Sequence, residues 1–392
     1  ETNVLTRVFF FLYLLQICRY DVYDPLLHSL LFFFMLDKAY WKDISKKIIV
    51  TGKELGFNDV GISDTVINQN QGLYKEWIDA KNHGAMSYLE DHQDIKFDPE
   101  NILANTKSII SVRLDYLPLN ENLIDLINQK DKAYIARYAL GRDYHKTLKK
   151  KLNHFGSLIE SIISESDFDF KYRAITDSAP SPEIEIATQA GLGWRGKNTL
   201  LLNKNNGSWF FLGELYTNAP LVFNQTSSTN HCGSCSACID ICPTQAIEKP
   251  YYLNASKCIS YWTIEHKGTI PISFRRKIGN RIYGCDDCQI ICPWNKFAKK
   301  STEIDFFVRH KLNNISLMDC FLMDNHRFNE YFNGSAIRRI GYEKWISNVA
   351  IALGNADHDQ NILDALIKRS EDPSNLIKEH VLWAISEQEA KK

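Results

Sequence analysis

Eight of the ten cysteines in this 392-residue chain fall between Cys232 and Cys292. The first run is Cys232-x2-Cys235-x2-Cys238-x3-Cys242, followed by Pro243. The second is Cys285-x2-Cys288-x3-Cys292, followed by Pro293, and Cys258 stands between the runs. Three thiolates two residues apart on one loop can cap three corners of a four-iron cube. A proline after the last cysteine turns the chain, so that this thiolate serves a second cube. The crossed rule therefore expects Cys232, Cys235, Cys238 and Cys292 on one [4Fe-4S] cluster and Cys242, Cys258, Cys285 and Cys288 on the other. Paired C-x2-C motifs also build zinc ribbons, but structural zinc leaves the crossed double run and its two prolines unexplained. A disulfide framework suits a small secreted domain rather than a chain of this length. Cys18 and Cys320 lie outside the pattern and read as ordinary thiols.

Two adjacent clusters form a wire for single electrons. A pure carrier needs little else, yet a long segment precedes the cysteines, so the electrons are expected to reach a second cofactor or substrate held there. Gly191-Leu-Gly193-Trp194-Arg195-Gly196-Lys197-Asn198 matches G-x-G-x-x-G and nearly matches a P-loop. Both matches fail on context. Pro182 to Ala190 reads as a helix begun by proline rather than a strand, and Asn198 replaces the hydroxyl that would hold magnesium. The loop reads instead as glycine-rich backbone approaching some other large ligand.

The elements that must position this chemistry alternate. Trp41 onward predicts an amphipathic helix ending near Gly56, followed by a strand around Val60 to Ile62. Ser108 to Leu117 and Phe170 to Asp177 are further strands, and Thr147 to Ile163 has helical spacing. The polar stretch Asn224 to Asn230 reads as a linker. Asn348 to Asn355 and Glu379 to Ser386 repeat one helical face, as a HEAT-like unit would. The expected class is α+β, in three parts. An α/β-type catalytic domain occupies 35–225, a ferredoxin-like two-cluster module 226–298, and a small α-helical HEAT-like repeat 299–392.

The amino terminus sits apart. The first methionine is Met35, and residues 1–34 read as a non-native or disordered extension. The uncharged runs Val8 to Cys18 and Pro25 to Leu36 are each shorter than the roughly 18 to 20 residues needed to cross a bilayer. Lys plus Arg total 46 against 47 Asp plus Glu, a net charge of -1, so no global field attracts nucleic acid. A polyanion would have to meet local patches: Lys146, Lys149, Lys150 and Lys151; Arg275, Arg276, Lys277 and Arg281; or Arg338 and Arg339. With 44% apolar, 24% charged and 12% aromatic residues, the composition excludes extensive disorder.

ARYALGRDYHK (Ala136 to Lys146), TDSAP (Thr176 to Pro180), GLGWRGKN, the two cysteine runs with GNRIYGCDDCQIICPWN (Gly279 to Asn295), and GSAIRRIG (Gly334 to Gly341) together resemble the epoxyqueuosine reductase family. The resemblance covers Met35 to the carboxyl terminus. It implies a cytoplasmic enzyme that carries two [4Fe-4S] clusters and cobalamin and reduces the epoxide of epoxyqueuosine at the tRNA wobble position to queuosine. It also implies that Asp177 is the proton donor, held protonated by burial beside the corrinoid. From the residues alone, Asp177 reads as a turn or cap ahead of Ser178 and Pro180. By similarity, further corrinoid contacts fall at Lys96, Ala136, Asn198, Leu201 and Leu212. Lys96 stands where arginine is usual, keeping the charge but losing the planar fork.

The same resemblance places phosphate contacts in Phe274 to Arg281 and at Arg338 and Arg339, with an unstacked wobble base reaching the cobalt. The expected partners are tRNA bearing epoxyqueuosine and an unidentified low-potential electron donor, with no membrane and a monomeric chain. The rivals are a corrinoid reductive dehalogenase of small organohalides and a two-cluster electron carrier. A dehalogenase looks exported, which does not suit this chain, and a carrier leaves the long amino-terminal domain unexplained.

Overall fold

The computed structural model describes residues 25–118, 122–164, 168–177, 179–224 and 230–392, with side chains from residue 37 onward. At its centre is a four-stranded sheet of β1 (Asp59–Ser63), β2 (Ser108–Asp115), β3 (Tyr172–Ile175) and β4 (Phe210–Thr217). The strand order is β1-β2-β4-β3, and every pair is antiparallel. The class is α+β. The alternation of helices and strands does not produce a parallel sheet here, because the connections return each strand antiparallel to its neighbour. The last ten residues of the region expected to be an extension, from Pro25, belong to helix α1 (Pro25–Glu54), which starts well before the predicted Trp41.

One face of the sheet is apolar. Trp41, Ile44 and Ile48 of α1 and Leu148, Leu152, Phe155, Ile159 and Ile163 of α2 (Tyr144–Ile163) pack on Ile110, Val112, Leu114 and Leu215. The i, i+4, i+7, i+11, i+15 spacing in α2 is the stripe that buries a helix against a sheet. Asp143 caps the helix by accepting a hydrogen bond from the His145 amide at 3.2 Å. The opposite face carries Ser111, Arg113, Leu212 and Glu214 in register and is covered by α3 (Glu183–Gln189). Polar groups buried at the centre of a sheet are unusual unless they serve a site.

The carboxyl-terminal helices α4 (Tyr342–Asn355), α5 (Gln360–Lys368) and α6 (Asn375–Glu389) pack as the helical repeat predicts. Their core, including Trp345, Val349, Leu353 and Val381, also takes in Ala133, Ile135, Leu140, Ile282 and Tyr283. Asn348 on α4 donates to the carbonyls of Thr263 at 2.8 Å and Ile282 at 3.0 Å, tying α4 to the cysteine-rich module. A second tie joins that module to the sheet. Gly207 has φ +69°, and a Cβ there would lie 2.0 Å from Asn295 Oδ1. That oxygen accepts the Ser208 amide at 2.6 Å, while Asn295 Nδ2 donates to the Gln289 carbonyl at 2.6 Å.

Leu152 is fully buried between α2 and the sheet. Leu152→Ala is expected to cost about 2–5 kcal/mol, read as a lower urea midpoint at unchanged m-value.

Candidate active site and cluster cavities

Cys232, Cys235, Cys238 and Cys292 surround a cavity of about 240 Å³, together with Asn198, His231 and Trp294. Burial pushes the Cys238 thiol up to about 11, with repulsion from Cys292, Cys232 and Cys235 adding to it. The other four thiols form their own group. Burial and then Cys242 raise Cys258, while Cys258 and Cys242 act in turn on Cys288, and Cys258 on Cys285. The first cavity brings together the four cysteines that the crossed rule expects on one cluster, while Cys288 feels Cys238 of that set as well as Cys258 and Cys242. Among the described residues no three His, Cys, Asp or Glu side chains gather as a single metal ion would require. Four thiols around an open volume suit a cube of iron and sulfide, and iron displaces the thiol protons as it binds.

The short turns that carry the cysteines are braced from behind. Asp286 accepts from Tyr134 Oη at 2.9 Å and the Arg137 amide at 2.8 Å. Arg281 clamps Asp287 through Nε at 2.7 Å and Nη2 at 2.5 Å. Asn198 lines the first cavity, and its Nδ2 also reaches the carbonyl of Cys288, which lies outside it, at 3.5 Å.

Asp177 follows β3 with φ +49°, a left-handed conformation that aspartate tolerates and that often marks a working residue. Ser178 lies outside the described residues. The first turn of α2 comes to meet Asp177. Its Oδ2 lies 2.9 Å from His145 Nε2 and accepts a short hydrogen bond from Tyr144 Oη. His145 Nδ1 is 2.8 Å from Asp143 Oδ1, and Arg339 Nη1 is 3.1 Å from His145 Nε2. Tyr144 is fixed by stacking on Phe211, with centroids 4.1 Å apart and planes 7° off parallel.

The chain by itself does not bury Asp177, and the expectation of a proton held there by burial beside the corrinoid concerns the site with that group bound. Its side chain is 52% exposed. Burial raises its pKa, but hydrogen bonds from His145 and Tyr144 and the charges of His145 and Arg339 outweigh that and hold it below the ordinary carboxylate value. Burial lowers the His145 pKa, yet hydrogen bonds to Asp143 and Asp177 raise it above its ordinary value of 6.5. Both shifts favour an ion pair between the imidazole and Asp177.

Behind Asp177, its amide donates to Glu183 Oε1 at 2.6 Å. Burial, then the Asp177 charge, pushes Glu183 up to about 7. Glu214 is fully buried, and burial followed by Glu183 holds it well above the carboxylate range. Its Oε2 has no partner unless a proton lies between the two carboxyls. Two acids this close cannot both ionise, so the pair keeps a proton near neutrality.

Two family models match the chain: "4Fe-4S double cluster binding domain" over 231–295 and "Epoxyqueuosine reductase QueG, DUF1730" over 96–178. The chain is 47% identical over 334 residues to epoxyqueuosine reductase of Pseudomonas aeruginosa, covering 85% of this chain and 91% of that protein. It belongs to the epoxyqueuosine reductase family. Among solved structures, epoxyqueuosine reductase with an epoxyqueuosine-modified tRNA-Tyr stem loop aligns with TM-score 0.77 at 28% identity, covering 88% of this chain and 90% of that one. Epoxyqueuosine reductase from Bacillus subtilis, seen with its catalytic aspartate loop swung out of the active site, aligns with TM-score 0.76 at 27% identity over the same shares.

For an epoxyqueuosine reductase, the contacts expected to hold the corrinoid are spread over several walls. Lys96 lines a cavity of about 630 Å³ with Tyr74, Trp77, Arg195 and Tyr251. Its Nζ donates to the Ser181 carbonyl at 3.1 Å, and burial lowers its pKa against the pull of Glu183 and Glu185. Asn198 lies instead on the first cluster cavity. Ala136 and Leu201 are only 1% and 3% exposed. Leu212 is partly buried, its carbonyl accepting the Thr176 hydroxyl at 3.1 Å. Of the residues expected at the corrinoid, only Lys96 lines the larger cavity, whose wall carries Glu76 and Glu185 as well as Arg195.

Two expectations need correction. The glycine loop spends its freedom on its own chain, for a Cβ at Gly193 would lie 2.2 Å from the Leu202 carbonyl oxygen. The basic segment Phe274 to Arg281 offers few free charges. Arg275 is buried on Glu379 at 2.6 Å, Arg276 pairs with Glu387 at 2.9 Å and Arg281 with Asp287. Lys151 is likewise paired, with Glu303 at 2.9 Å. Tyr144, His145, Glu183 and Glu214 were not singled out from the sequence as site residues. The available signal was DYH within ARYALGRDYHK, a histidine two residues after a helix-capping aspartate.

Because Asp177 supports the imidazolium, Asp177→Asn should lower the His145 pKa. A pH titration of the His145 ring by NMR checks this, and an unchanged midpoint would contradict the arrangement.

Proposed function

We propose that this protein reduces the epoxide of epoxyqueuosine in the anticodon loop of tRNA to give queuosine. We assign Cys232, Cys235, Cys238 and Cys292 to one [4Fe-4S] cluster and Cys242, Cys258, Cys285 and Cys288 to the other, with Lys96, Asn198, Leu212 and backbone near Ala136 and Leu201 about the corrinoid. When bound, cobalamin supplies a strongly reducing one-electron centre and the clusters the route by which single electrons reach it. The observation that carries the reading is the half-exposed Asp177, held by Tyr144 and by His145 Nε2 at 2.9 Å in a chain 47% identical to epoxyqueuosine reductase.

Removing the epoxide oxygen breaks two C–O bonds, takes up two electrons and two protons, and leaves a carbon–carbon double bond and water. Asp177 faces the open side, and His145 behind it holds one of the protons. The pair can hand that proton outward and leave Asp177 hydrogen-bonded by Tyr144. Asp143 fixes the imidazole in the orientation that aims Nε2 at Asp177. Glu183 holds the Asp177 backbone in its left-handed turn, and with Glu214 keeps a second proton close by. A tRNA substrate places the reaction in the cytoplasm, where a low-potential donor supplies electrons to a monomeric enzyme. A small-organohalide dehalogenase is disfavoured by the family to which the chain belongs.

The test is anaerobic turnover of an epoxyqueuosine stem loop by the reconstituted enzyme with cobalamin, scored as queuosine by mass spectrometry. Asp177→Asn is expected to lose about 10²- to 10⁴-fold in rate while iron content and stem-loop affinity persist. Full activity in that variant would remove Asp177 from the chemistry, and a wild-type enzyme with both clusters but no queuosine formed would sink the reading. Turnover should also fall as pH rises through the elevated His145 pKa, since the proton-holding form is lost there. Cys258→Ser is expected to cut bound iron from about eight to about four per chain, measured by iron analysis with EPR.

A further inference from the structure

A second cavity, of about 480 Å³, opens where the segment after the cysteine-rich module's Trp262 meets the start of α4. Its wall includes Lys267, Arg339, Gly341, Glu343 and Lys344. Lys344 is only 5% exposed, and its Nζ has no hydrogen-bond partner. An ammonium in that state is costly, and lysine is almost never buried without a counter-charge. Burial alone pushes it down to about 8, with no carboxylate opposing the shift. The neighbouring His266 and His380 feel it as a repulsive charge. Glu343, the acid on the same wall, is engaged by the Ser374 hydroxyl at 2.8 Å.

The backbone adds to the same field. Lys344 sits in the first turn of the 14-residue helix α4, whose N-cap Gly341 supplies no side-chain cap. The first amides of a helix have no intrahelical acceptor, and their summed dipole favours an anion. A Cβ at Gly341 would meet nothing within 4 Å, so the approach to those amides is open. Arg339 forms the boundary with the acid site, its Nη1 3.1 Å from His145 Nε2. An anion here would therefore lie beside the reacting group.

We propose that Lys344 and the amino-terminal amides of α4 bind one backbone phosphate of the RNA, adjacent to the nucleotide being reduced. This rests on the reading of tRNA as substrate. The phosphodiester supplies the acceptor that Lys344 lacks, and its four-carbon stem lets the ammonium turn into the cavity. The cavity has room for the flanking ribose, and Lys267 and Arg339 complete a cationic rim.

The experiment compares wild type, Lys344→Met and Lys344→Arg as full-length reconstituted proteins. Each is assayed for affinity to the epoxyqueuosine stem loop over a range of salt, and for thermal midpoint without RNA. Lys344→Met should weaken binding on the order of tenfold and reduce the salt slope by about one charge, while Lys344→Arg retains both. Without RNA, Lys344→Met should melt higher than wild type, because it removes an uncompensated buried charge; a purely structural lysine would give a lower midpoint. A methylphosphonate scan of the stem loop should find one position whose neutralisation weakens wild type but not Lys344→Met. Wild-type affinity and slope in Lys344→Met would overturn the inference even if the wild-type enzyme makes queuosine. A wild-type enzyme that binds no stem loop would overturn both this inference and the tRNA reading.

Discussion

Each group of four thiols takes three or fewer members from one run and completes itself from elsewhere in the chain. Cys292 turns back to the cavity of Cys232, Cys235 and Cys238, and Cys242 leaves its own run for the other group. That cavity cannot form until both runs are in place, so the module's fold is set by a closure condition rather than by apolar area. The braces follow from it. Asp286, Asp287 and Asn295 all lie within the second run or just beyond it, and each ties a cysteine turn to a different neighbour. Asn295 thus holds the residues leading into β4 against the module, and Asn348 on α4 holds the helical repeat to it.

The acid site shows how charge is distributed to hold protons. Asp177 is the exposed end of a chain of groups that runs through His145 to Asp143, with the Glu183 and Glu214 pair behind the loop. Opposite environments separate their affinities. Hydrogen-bond donors hold Asp177 down, and a dry sheet face holds Glu214 up. Two carboxylates and an imidazole in one place thereby take different protonation states at one pH, which acid catalysis near neutrality requires.

The parts legible from sequence were those encoded by local spacing. The eight cysteines announce their grouping because a cluster imposes short, fixed intervals. α2 was legible through its apolar stripe, and α4 and α6 through their repeated face. β4 was not recognised as the central strand, since FFLGELYT is buried on both faces and shows no alternation. Glu214 within it carries no local signal that marks it as a site residue. The arginines of Phe274 to Arg281 looked free because their partners, Glu379 and Glu387, come about a hundred residues later. Tyr144 and His145 gain their meaning only when the fold brings Asp177 to them, and no spacing rule spans that distance.

The shared core of the carboxyl-terminal helices also bears on how the protein is made. Ala133, Ile135 and Leu140 are synthesised early, yet their apolar partners Trp345, Val349 and Val381 leave the ribosome last. The nascent chain therefore carries an uncovered apolar strip until these helices are made. The second cysteine run lies between the strip and its cover in the chain, so it is synthesised before the core beside it can close.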